Sequence, residues 1–236
     1  MEKYYKIAGL TVKMDTFGRT QAQAEPYRTE PCAQADILIP DFTPMRNQSG
    51  GLLGEDNLEY GLTGKAFNRN LIRFQGLMLH ASAIAVDGKA YLFSADSGTG
   101  KSTHTRLWQQ VLGTDRVTII NDDKPALRRI QGEWFVFGTP WSGKHGQNRN
   151  VQVPLAGICF LERSEENAIA PYTKNDIVFQ FLRQTYRYKD ADYEAELLTL
   201  VGNLLETVPV WHLRCNMEPE AAWMACHAMT EKGLKT

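Results

Sequence analysis

The sequence has few of the features that mark secreted proteins or structural zinc proteins. Its 236 residues include only four cysteines, which lie far apart at Cys32, Cys159, Cys215 and Cys226. No Cys-x-x-Cys pair occurs, and no histidines stand at zinc-ligand spacing from them. We therefore expect reduced, mostly buried thiols and no zinc site.

Long hydrophobic runs are also missing. No stretch of about 18 uncharged apolar residues occurs, as a membrane-spanning helix would need. The first residues, MEKYYKIAGLTVKM, lack the continuous apolar segment of a signal peptide. These absences predict a cytoplasmic protein that does not bind membranes.

The charge shows no excess of one sign. The 26 basic and 27 acidic side chains give a formal net charge of -1, so no overall field attracts nucleic acid. Any anion that binds must be held by local groups. The hydrophobic content of 43% is that of an ordinary globular protein, long enough to bury a core.

The order of apolar patterns predicts an α/β chain with a mixed sheet. Two apolar runs, Leu77–Val86 and Lys89–Ser94, flank Asp87-Gly88, a dipeptide typical of a two-residue hairpin turn. Short apolar segments predict a strand at Val117–Asn121 and a central strand at Pro154–Glu162. Helical spacing is found over Asp56–Phe74, Ser102–Leu112, Asn175–Tyr188, Ala191–Glu206 and Pro219–Lys232.

Composition divides the chain into two parts. Residues 1–75 combine short apolar runs, prolines and one helical pattern, and predict a small β-rich accessory region. Its most loop-like stretch is Asn47–Gly54. Residues 76–236 carry the remaining strands and helices, and we expect them to form the larger domain.

A glycine-rich segment, Ala95–Thr103, follows the strand that ends at Ser94 and precedes a helix. Its sequence, ADSGTGKST, matches the phosphate-loop pattern except that alanine replaces the first glycine. In that pattern the backbone amides and the helix start hold phosphate oxygens, the lysine reaches the β- and γ-phosphates, and the next hydroxyl binds Mg²⁺. The residues expected to bind ATP are Ser97, Gly98, Thr99, Gly100, Lys101, Ser102 and Thr103.

Two alternatives to a phosphate loop can be weighed from the sequence. A Rossmann dinucleotide site would need G-x-G-x-x-G, which does not occur here. A merely polar turn before a helix is the other alternative. The flanking strand and helix favour the phosphate loop over that turn.

Two adjacent carboxylates, Asp122 and Asp123, end the strand Val117–Asn121. Ligands of α/β sheets collect at the carboxyl ends of strands, so these carboxylates are candidates to face Mg²⁺ and the γ-phosphate. We expect Asp123 to join Ser102 at the metal, and either aspartate could accept a proton from an attacking hydroxyl. A solvated turn, Asn-Asp-Asp-Lys-Pro, is the alternative interpretation.

A polar loop at Thr139–Asn150 offers further candidates. Lys144 or Arg149 could neutralise charge on a transferred phosphoryl group, and Trp141 could stack on a nucleotide. Among the remaining rings, we expect His104 to face solvent. Trp211, Trp223, His212 and His227 are expected to be structural.

Taken in order, these motifs resemble the catalytic domain of HPr serine kinase/phosphatase, whose fold is shared with ATP-dependent phosphoenolpyruvate carboxykinase. The likeness covers roughly residues 75–230 and rests on Leu79-His80, the loop Ala95–Ser102 and Asp122-Asp123. It implies a mixed-sheet P-loop domain, one catalytic and one metal-binding aspartate, and His80 close to the transferred phosphate. The family's E-R-R-G and G-I-G-A-I-R segments have no counterpart, so the acceptor need not be HPr.

The sequence therefore predicts an ATP- and Mg²⁺-dependent kinase. Its catalytic residues would be Asp122, Asp123, His80 and Lys144, and its acceptor a hydroxyl of a protein, a peptide or a small metabolite. A homo-oligomer is possible. The alternatives are an ATP-binding regulatory module that transfers nothing, and a carboxykinase-like decarboxylase, which the short chain disfavours.

Overall fold

The computed structural model describes residues 3–42, 45, 54–143, 145–173 and 176–230. Most of the loop-like stretch Asn47–Gly54, together with Lys144, Asn175 and Lys232, lies outside these ranges. None of the described helices has the length and apolarity needed to cross a bilayer.

The N-terminal region forms a small sheet with two helices. The sheet has the order β3-β1-β2-β4. Its strands are β1 (Tyr4–Ile7), β2 (Leu10–Lys13), β3 (Arg28–Thr29) and β4 (Ile37–Leu38). Helix α1 (Gly18–Ala24) and the longer helix α2 (Glu55–Leu71) accompany it. Short strands plus a helix are what the sequence predicts for residues 1–75.

A larger, mixed sheet follows. Its strands are β5 (Gly76–Met78), β6 (Ala81–Val86), β7 (Lys89–Ser94), β8 (Val117–Asn121), β9 (Ala126–Ile130), β10 (Glu133–Phe137), β11 (Gln152–Arg163), β12 (Ala168–Pro171) and β13 (Val210–Cys215). The main path is β5-β9-β10-β11-β7-β6-β8, and β13 pairs with both β11 and β12. The helices are α3 (Lys101–Leu112), α4 (Ile177–Arg183), α5 (Ala191–Thr207) and α6 (Pro219–Met229). The predicted mixed α/β class is confirmed.

The strand directions bring several strand ends to one edge of this sheet. Strand β11 runs parallel to β7 and to β13, whereas β6 runs antiparallel to both β7 and β8. The carboxyl ends of β7, β8, β11 and β13 therefore lie at the same edge as the start of β6. The glycine-rich loop and the paired aspartates both follow strands that end there.

The predicted hairpin turn at Asp87-Gly88 is confirmed by its backbone angles, and a second turn of the same kind joins β9 to β10. Asp87 and Gly88 have φ of 49° and 78°, and Gln131 and Gly132 have φ of 53° and 90°. Positive φ at both central residues is the conformation that joins two antiparallel strands with two residues.

Helix α4 is shorter than the Asn175–Tyr188 pattern predicts, because the chain after Arg183 pairs with a strand end instead. The backbone N–H of His80 donates to the carbonyl of Gln184 at 2.7 Å, and Thr185 forms a β-bridge with Leu79. These long-range bonds replace the helical bonds that the local pattern favours.

One hydrophobic core joins the N-terminal sheet to α2 and to the neighbouring part of the larger sheet. Tyr5 and Ile7 are buried with Phe67, Phe137 and Trp141 in this cluster. The boundary at residue 75 stays a prediction, but the two sides of it share this core.

Trp141 is at the centre of that shared core, so the prediction that it stacks on a nucleotide is wrong. The indole is fully buried, stacks on Phe67 at 4.9 Å between ring centroids and donates to the Thr63 hydroxyl at 3.1 Å. Gly64 lets it approach α2, because a Cβ there would lie 2.9 Å from the indole.

Other burial predictions have mixed outcomes. Trp211 is buried as expected, but Trp223 is 54% exposed on α6. Cys159 is buried, Cys215 and Cys226 are half-buried, and Cys32 is exposed, so the expectation of mostly buried thiols is wrong. All four cysteines lie in the described ranges, and none forms a disulfide.

The burial of Trp141 predicts a large effect of its removal. Trp141→Ala should lower the free energy of unfolding by about 3–5 kcal/mol, because it leaves a cavity in the shared core and removes the hydrogen bond from the indole to the Thr63 hydroxyl. Urea unfolding followed by circular dichroism measures this change. The control Trp223→Ala, on an exposed surface, should change the free energy by less than about 0.5 kcal/mol; equal effects of the two substitutions would contradict the packing described.

Candidate functional site

The glycine-rich loop begins at the end of β7 and leads directly into α3. Gly98 and Gly100 have φ of 81° and 120°, angles that residues with a Cβ rarely adopt. No atom lies within 4 Å of where a Cβ would be placed at either glycine. Backbone conformation, rather than lack of space, therefore requires glycine at these two positions.

Lys101 lies under this loop. Its ammonium group donates to the carbonyls of Ala95 at 2.8 Å and Asp96 at 3.3 Å, and the residue is only 7% exposed. Burial lowers the pKa of Lys101 to about 8, and Lys124 adds to this effect, whereas the charge of Asp123 opposes it. The charge of Asp123 therefore acts on Lys101. The glycine-rich loop and the acidic pair, Asp122 and Asp123, are close enough to influence each other electrostatically.

Side chains from two other elements hold the loop from outside. Arg163, at the end of β11, donates to the carbonyls of Gly98 and Thr99, the latter at 3.2 Å. Asp96 accepts from Gln184 at 2.8 Å and from Arg183 at 3.1 Å. The sequence analysis missed these residues. Arg163 could have been found, since it directly follows the predicted central strand Pro154–Glu162 at the same sheet edge.

The turn after β8 is set by Asn121. Its side-chain oxygen accepts from the backbone amides of Asp123 at 2.9 Å and Lys124 at 2.7 Å, while its amide group donates to the carbonyl of Thr139 at 3.0 Å. This Asn-initiated turn bends the chain at once after the strand. The two aspartates are thereby held at the sheet edge.

Asp122 is removed from water, which argues against a solvated turn. It is 5% exposed, and its Oδ1 atom has no hydrogen-bond partner among the described residues. Burial, followed by the charge of Asp123, raises the pKa of Asp122 to about 7. A buried carboxylate oxygen without a donor suits a site that receives a proton or a cation.

Asp123 has a different environment, in which it contacts groups from three parts of the chain. Its Oδ1 lies 3.3 Å from His80 Nε2 and 3.6 Å from the ammonium of Lys124, and its Oδ2 accepts from the Tyr60 hydroxyl at 3.5 Å. Its backbone carbonyl also accepts from the amide of Ala81 at 3.0 Å, at the start of β6. The structure thus brings His80 and Asp123 together.

His80 connects the acidic pair to the glycine-rich loop. Its Nδ1 lies 3.0 Å from Gln184 Oε1, and Gln184 in turn donates to Asp96 in the loop. Burial and then the charges of Lys124 and Lys101 lower the pKa of His80 to about 4. The ring is therefore neutral near pH 7. A neutral ring donates from only one of its two nitrogens, although both of them face oxygen atoms.

The polar loop after β10 packs against the two aspartates. Gly143 has φ of 69°, and a Cβ there would lie 3.1 Å from Asp123 Cβ and 3.5 Å from Asp122 Oδ1. The backbone N–H of Arg149 donates to the carbonyl of Ile120 at 2.9 Å, and the Arg149 residue is exposed. Lys144, the other cation predicted to act here, lies outside the described residues.

His104 is buried, so the prediction that it faces solvent is wrong. Its Nε2 accepts from the Trp108 indole at 3.1 Å, and its ring meets the edge of Phe93 at 4.6 Å between centroids. Burial lowers the pKa of His104 to about 4, which keeps the ring neutral. The i, i+4 spacing of His104 and Trp108 was the available signal for this contact.

Two cavities flank the loop on the side of β11 and β13. One of about 420 Å³ is mainly polar, with Asp96, Glu162, Arg163, Gln180 and His212 among its walls. The other, of about 520 Å³, is lined by the start of α3 and by the segments that follow β11 and β13. Each cavity falls in the range typical of small-molecule sites.

The residues present fit a magnesium ion that is shared with phosphate. No group of three or more His, Cys, Asp or Glu side chains that could hold a metal occurs in the described part of the chain. Mg²⁺ at nucleotide sites uses one or two carboxylates, waters and the phosphates themselves. The carboxylate of Asp123, with the carboxylate of Asp122 next to it, matches that smaller demand.

Comparison with known families gives one match over most of this region. The model of the family described as SynChlorMet cassette protein ScmC matches residues 65–220. This range includes β5 to β13, the glycine-rich loop and the paired aspartates. The chain belongs to the ScmC family.

The other comparisons are weaker. The structure of the Hpr(Ser) kinase/phosphatase from Coxiella burnetii is 12% identical over 62% of this chain and 90% of that chain, with a TM-score of 0.33. A TM-score this low supports no inference about fold or activity. No curated protein matches the sequence. The family shown is therefore ScmC, and the motif order of the HPr kinases remains a resemblance.

In this ScmC-family chain a second buried carboxylate lies next to Tyr60, on α2. Glu59 is 2% exposed and faces the Thr20 hydroxyl and the Phe17 amide, at and just before α1. Burial raises the pKa of Glu59 to about 7, although these two neighbours act in the opposite direction. The ionised form of Glu59 is therefore disfavoured in the folded protein.

This pKa predicts how stability depends on pH. The unfolded chain ionises Glu59 near pH 4.5 and the folded chain near pH 7, so the contribution of neutral Glu59 is complete below the first value and is lost as pH rises through the second. Glu59→Gln should therefore gain stability relative to the parent between pH 5 and pH 8. Urea unfolding at both pH values measures this gain. The exposed control Glu206→Gln should show none, and a pH-independent difference for Glu59→Gln would refute the shift.

Proposed function

We propose that this chain is an ATP-dependent phosphotransferase that moves the γ-phosphoryl group to a hydroxyl acceptor. The observation that carries the proposal is that a glycine-rich loop with a buried lysine meets two adjacent aspartates, Asp122 buried and Asp123 half-buried, at one sheet edge. They are connected through Asp123, His80, Gln184 and Asp96. Each half binds one part of a nucleotide-metal complex, and together they suit phosphoryl transfer.

The polyphosphate would lie along the loop and the start of α3. Backbone amides from Ser97 to Thr103 supply donors, and the amino end of a helix favours negative charge. Lys101 is already in the loop, where its ammonium can turn from the carbonyls of Ala95 and Asp96 to phosphate oxygens. Its lowered pKa means that an added anion would also favour its charged form.

Ser102 and Asp123 are the proposed magnesium ligands. Ser102 follows the lysine on the first turn of α3. The Asp123 carboxylate lies 3.6 Å from the Lys124 ammonium and acts electrostatically on Lys101. When bound, Mg²⁺ would neutralise charge on the phosphates during transfer. Lys124 and Lys101 add further positive charge at the same place.

Asp122 is the proposed proton acceptor. With a pKa of about 7 it is partly ionised near neutral pH, the condition that general-base catalysis needs. The acceptor oxygen would form a bond to the γ-phosphorus as the bond from that phosphorus to the β,γ-bridging oxygen breaks. The hydroxyl proton passes to Asp122, and ADP leaves. The acceptor is a hydroxyl of a protein, a peptide or a small metabolite.

Removal of the lysine tests nucleotide binding. Lys101→Met should weaken the affinity for Mg²⁺·ATP by at least about tenfold, because it removes a charge-assisted contact to the phosphates. Isothermal titration measures the affinity. Lys189→Met, on an exposed lysine remote in sequence from the loop, should leave it unchanged. A folded Lys101→Met protein that binds ATP as tightly as the parent would refute the phosphate site.

Removal of the proton acceptor separates a kinase from a binding module. Asp122→Asn should leave the affinity for ATP within about threefold of the parent but lower phosphoryl transfer by about 100-fold or more. The measurement is transfer of label from γ-labelled ATP to acceptors in fractionated cell extract. If the parent releases label only as free phosphate in every fraction, the transferase proposal fails, and an ATP-binding regulatory module becomes the better account.

A further inference from the structure

The N-terminal region contacts the acidic pair directly, although its sequence carries no recognised catalytic motif. Tyr60 lies on α2 and Arg19 on α1, both before the larger sheet begins. We propose that these two residues are positioning residues of the catalytic site, which hold Asp123 and the Gly143 backbone in place for phosphoryl transfer. This inference rests on the phosphotransferase function proposed above.

Tyr60 joins two parts of the site through one hydroxyl group. The hydroxyl donates to Asp123 Oδ2 at 3.5 Å and accepts from the backbone N–H of Gly143 at 3.1 Å. Gly143 is the residue whose Cα approaches both aspartates. A single phenol therefore sets the distance between the carboxylate and the loop that covers it.

Arg19 holds both partners of this arrangement. Its guanidinium lies over the Tyr60 ring, 4.2 Å from the centroid, and donates to the carbonyl of Gly143. It also lies 3.5 Å from the side-chain oxygen of Asn57, one turn before Tyr60 on α2. The planar guanidinium can make a stacking contact and a hydrogen bond at the same time, which a lysine does less well.

Charge supports the same arrangement. Arg19 acts to lower the pKa of Asp122 and also that of Tyr60, while Asp123 acts to raise the pKa of Tyr60. Burial is the largest influence on Tyr60 and keeps its hydroxyl protonated. Tyr60 can therefore donate to Asp123 throughout the neutral pH range.

Simple packing does not account for these contacts. The Tyr60 ring packs partly against the shared core, but its hydroxyl bonds to Asp123 and to the Gly143 backbone. Arg19 bonds to a backbone carbonyl next to the aspartates rather than to a surface carboxylate. A comparable arginine–tyrosine pair joins the later part of α2 to the segment before α5. In this pair the Arg69 guanidinium lies 5.4 Å from the ring centroid of Tyr188. That pair contacts Asp190, Asn68 and the Lys65 carbonyl instead. It therefore serves as a matched control.

The test compares kcat with the affinity for ATP. Tyr60→Phe and Arg19→Gln should each lower kcat for phosphoryl transfer by about tenfold, with less than about a twofold change in the dissociation constant of Mg²⁺·ATP. Arg19→Lys should recover part of the loss relative to Arg19→Gln. The double variant should lose less than the product of the two single losses, because both residues act on the same hydroxyl and loop.

Tyr188→Phe and Arg69→Gln are the matched controls and should leave kcat within about twofold of the parent. Thermal melting of each variant shows whether it is folded, and Tyr60→Phe removes a single oxygen from a partly buried side chain. The inference is overturned if the folded Tyr60 and Arg19 variants have the same kcat as the parent. It is also overturned if the affinity for ATP falls by as large a factor as kcat. If the parent itself binds ATP but transfers nothing, the proposed function fails, and this inference fails with it.

Discussion

The site depends on holding two adjacent carboxylates, Asp122 and Asp123, at a sheet edge largely removed from water. Like charges placed this close repel each other, and burial adds to the cost of ionising both. The two carboxylates have different surroundings in the structure. Asp123 is near His80 and Lys124, whereas Asp122 keeps an unpartnered oxygen and a raised pKa. Asp122 is therefore the carboxylate of the two that is ready to take up a proton.

This constraint explains why so much of the chain converges on one edge. Asn121 fixes the turn that carries the pair, Gln184 connects His80 to the glycine-rich loop, and Arg163 holds the loop carbonyls. Each of these side chains uses hydrogen bonds to position a backbone segment or a charged group. A rigid support of this kind is what phosphoryl transfer needs, because its catalysis comes mainly from positioning and electrostatics.

The N-terminal region belongs to the same arrangement. Its sheet shares a core with α2, Trp141 and the larger sheet, and α1 and α2 present Arg19 and Tyr60 to the acidic pair. The buried indole of Trp141 and the Gly143 backbone are two residues apart in the loop after β10. The same loop therefore serves packing at one point and the site at the next.

Features that depend on neighbouring residues could be predicted from the amino-acid sequence alone. Glycines at 98 and 100 supply the backbone angles of the loop, Asp87-Gly88 supplies a hairpin turn, and short apolar runs define the strands. The sequence also predicts Asp122 and Asp123 at the end of a strand, where β8 does end. Local conformational preference and apolar periodicity decide these features, so they can be recognised within a window of a few residues.

The identity of the distant side chains that complete the site follows from the three-dimensional fold and not from local sequence. The contacts of Gln184 with His80, of Arg163 with Thr99 and of Arg19 with Gly143 span 104, 64 and 124 residues. The same long-range pairing ended α4 early and placed Trp141 in a core rather than over a ligand. Such contacts arise because the sheet order and the shared core bring distant chain segments together. A local pattern of residue types carries no information about which distant segments will meet.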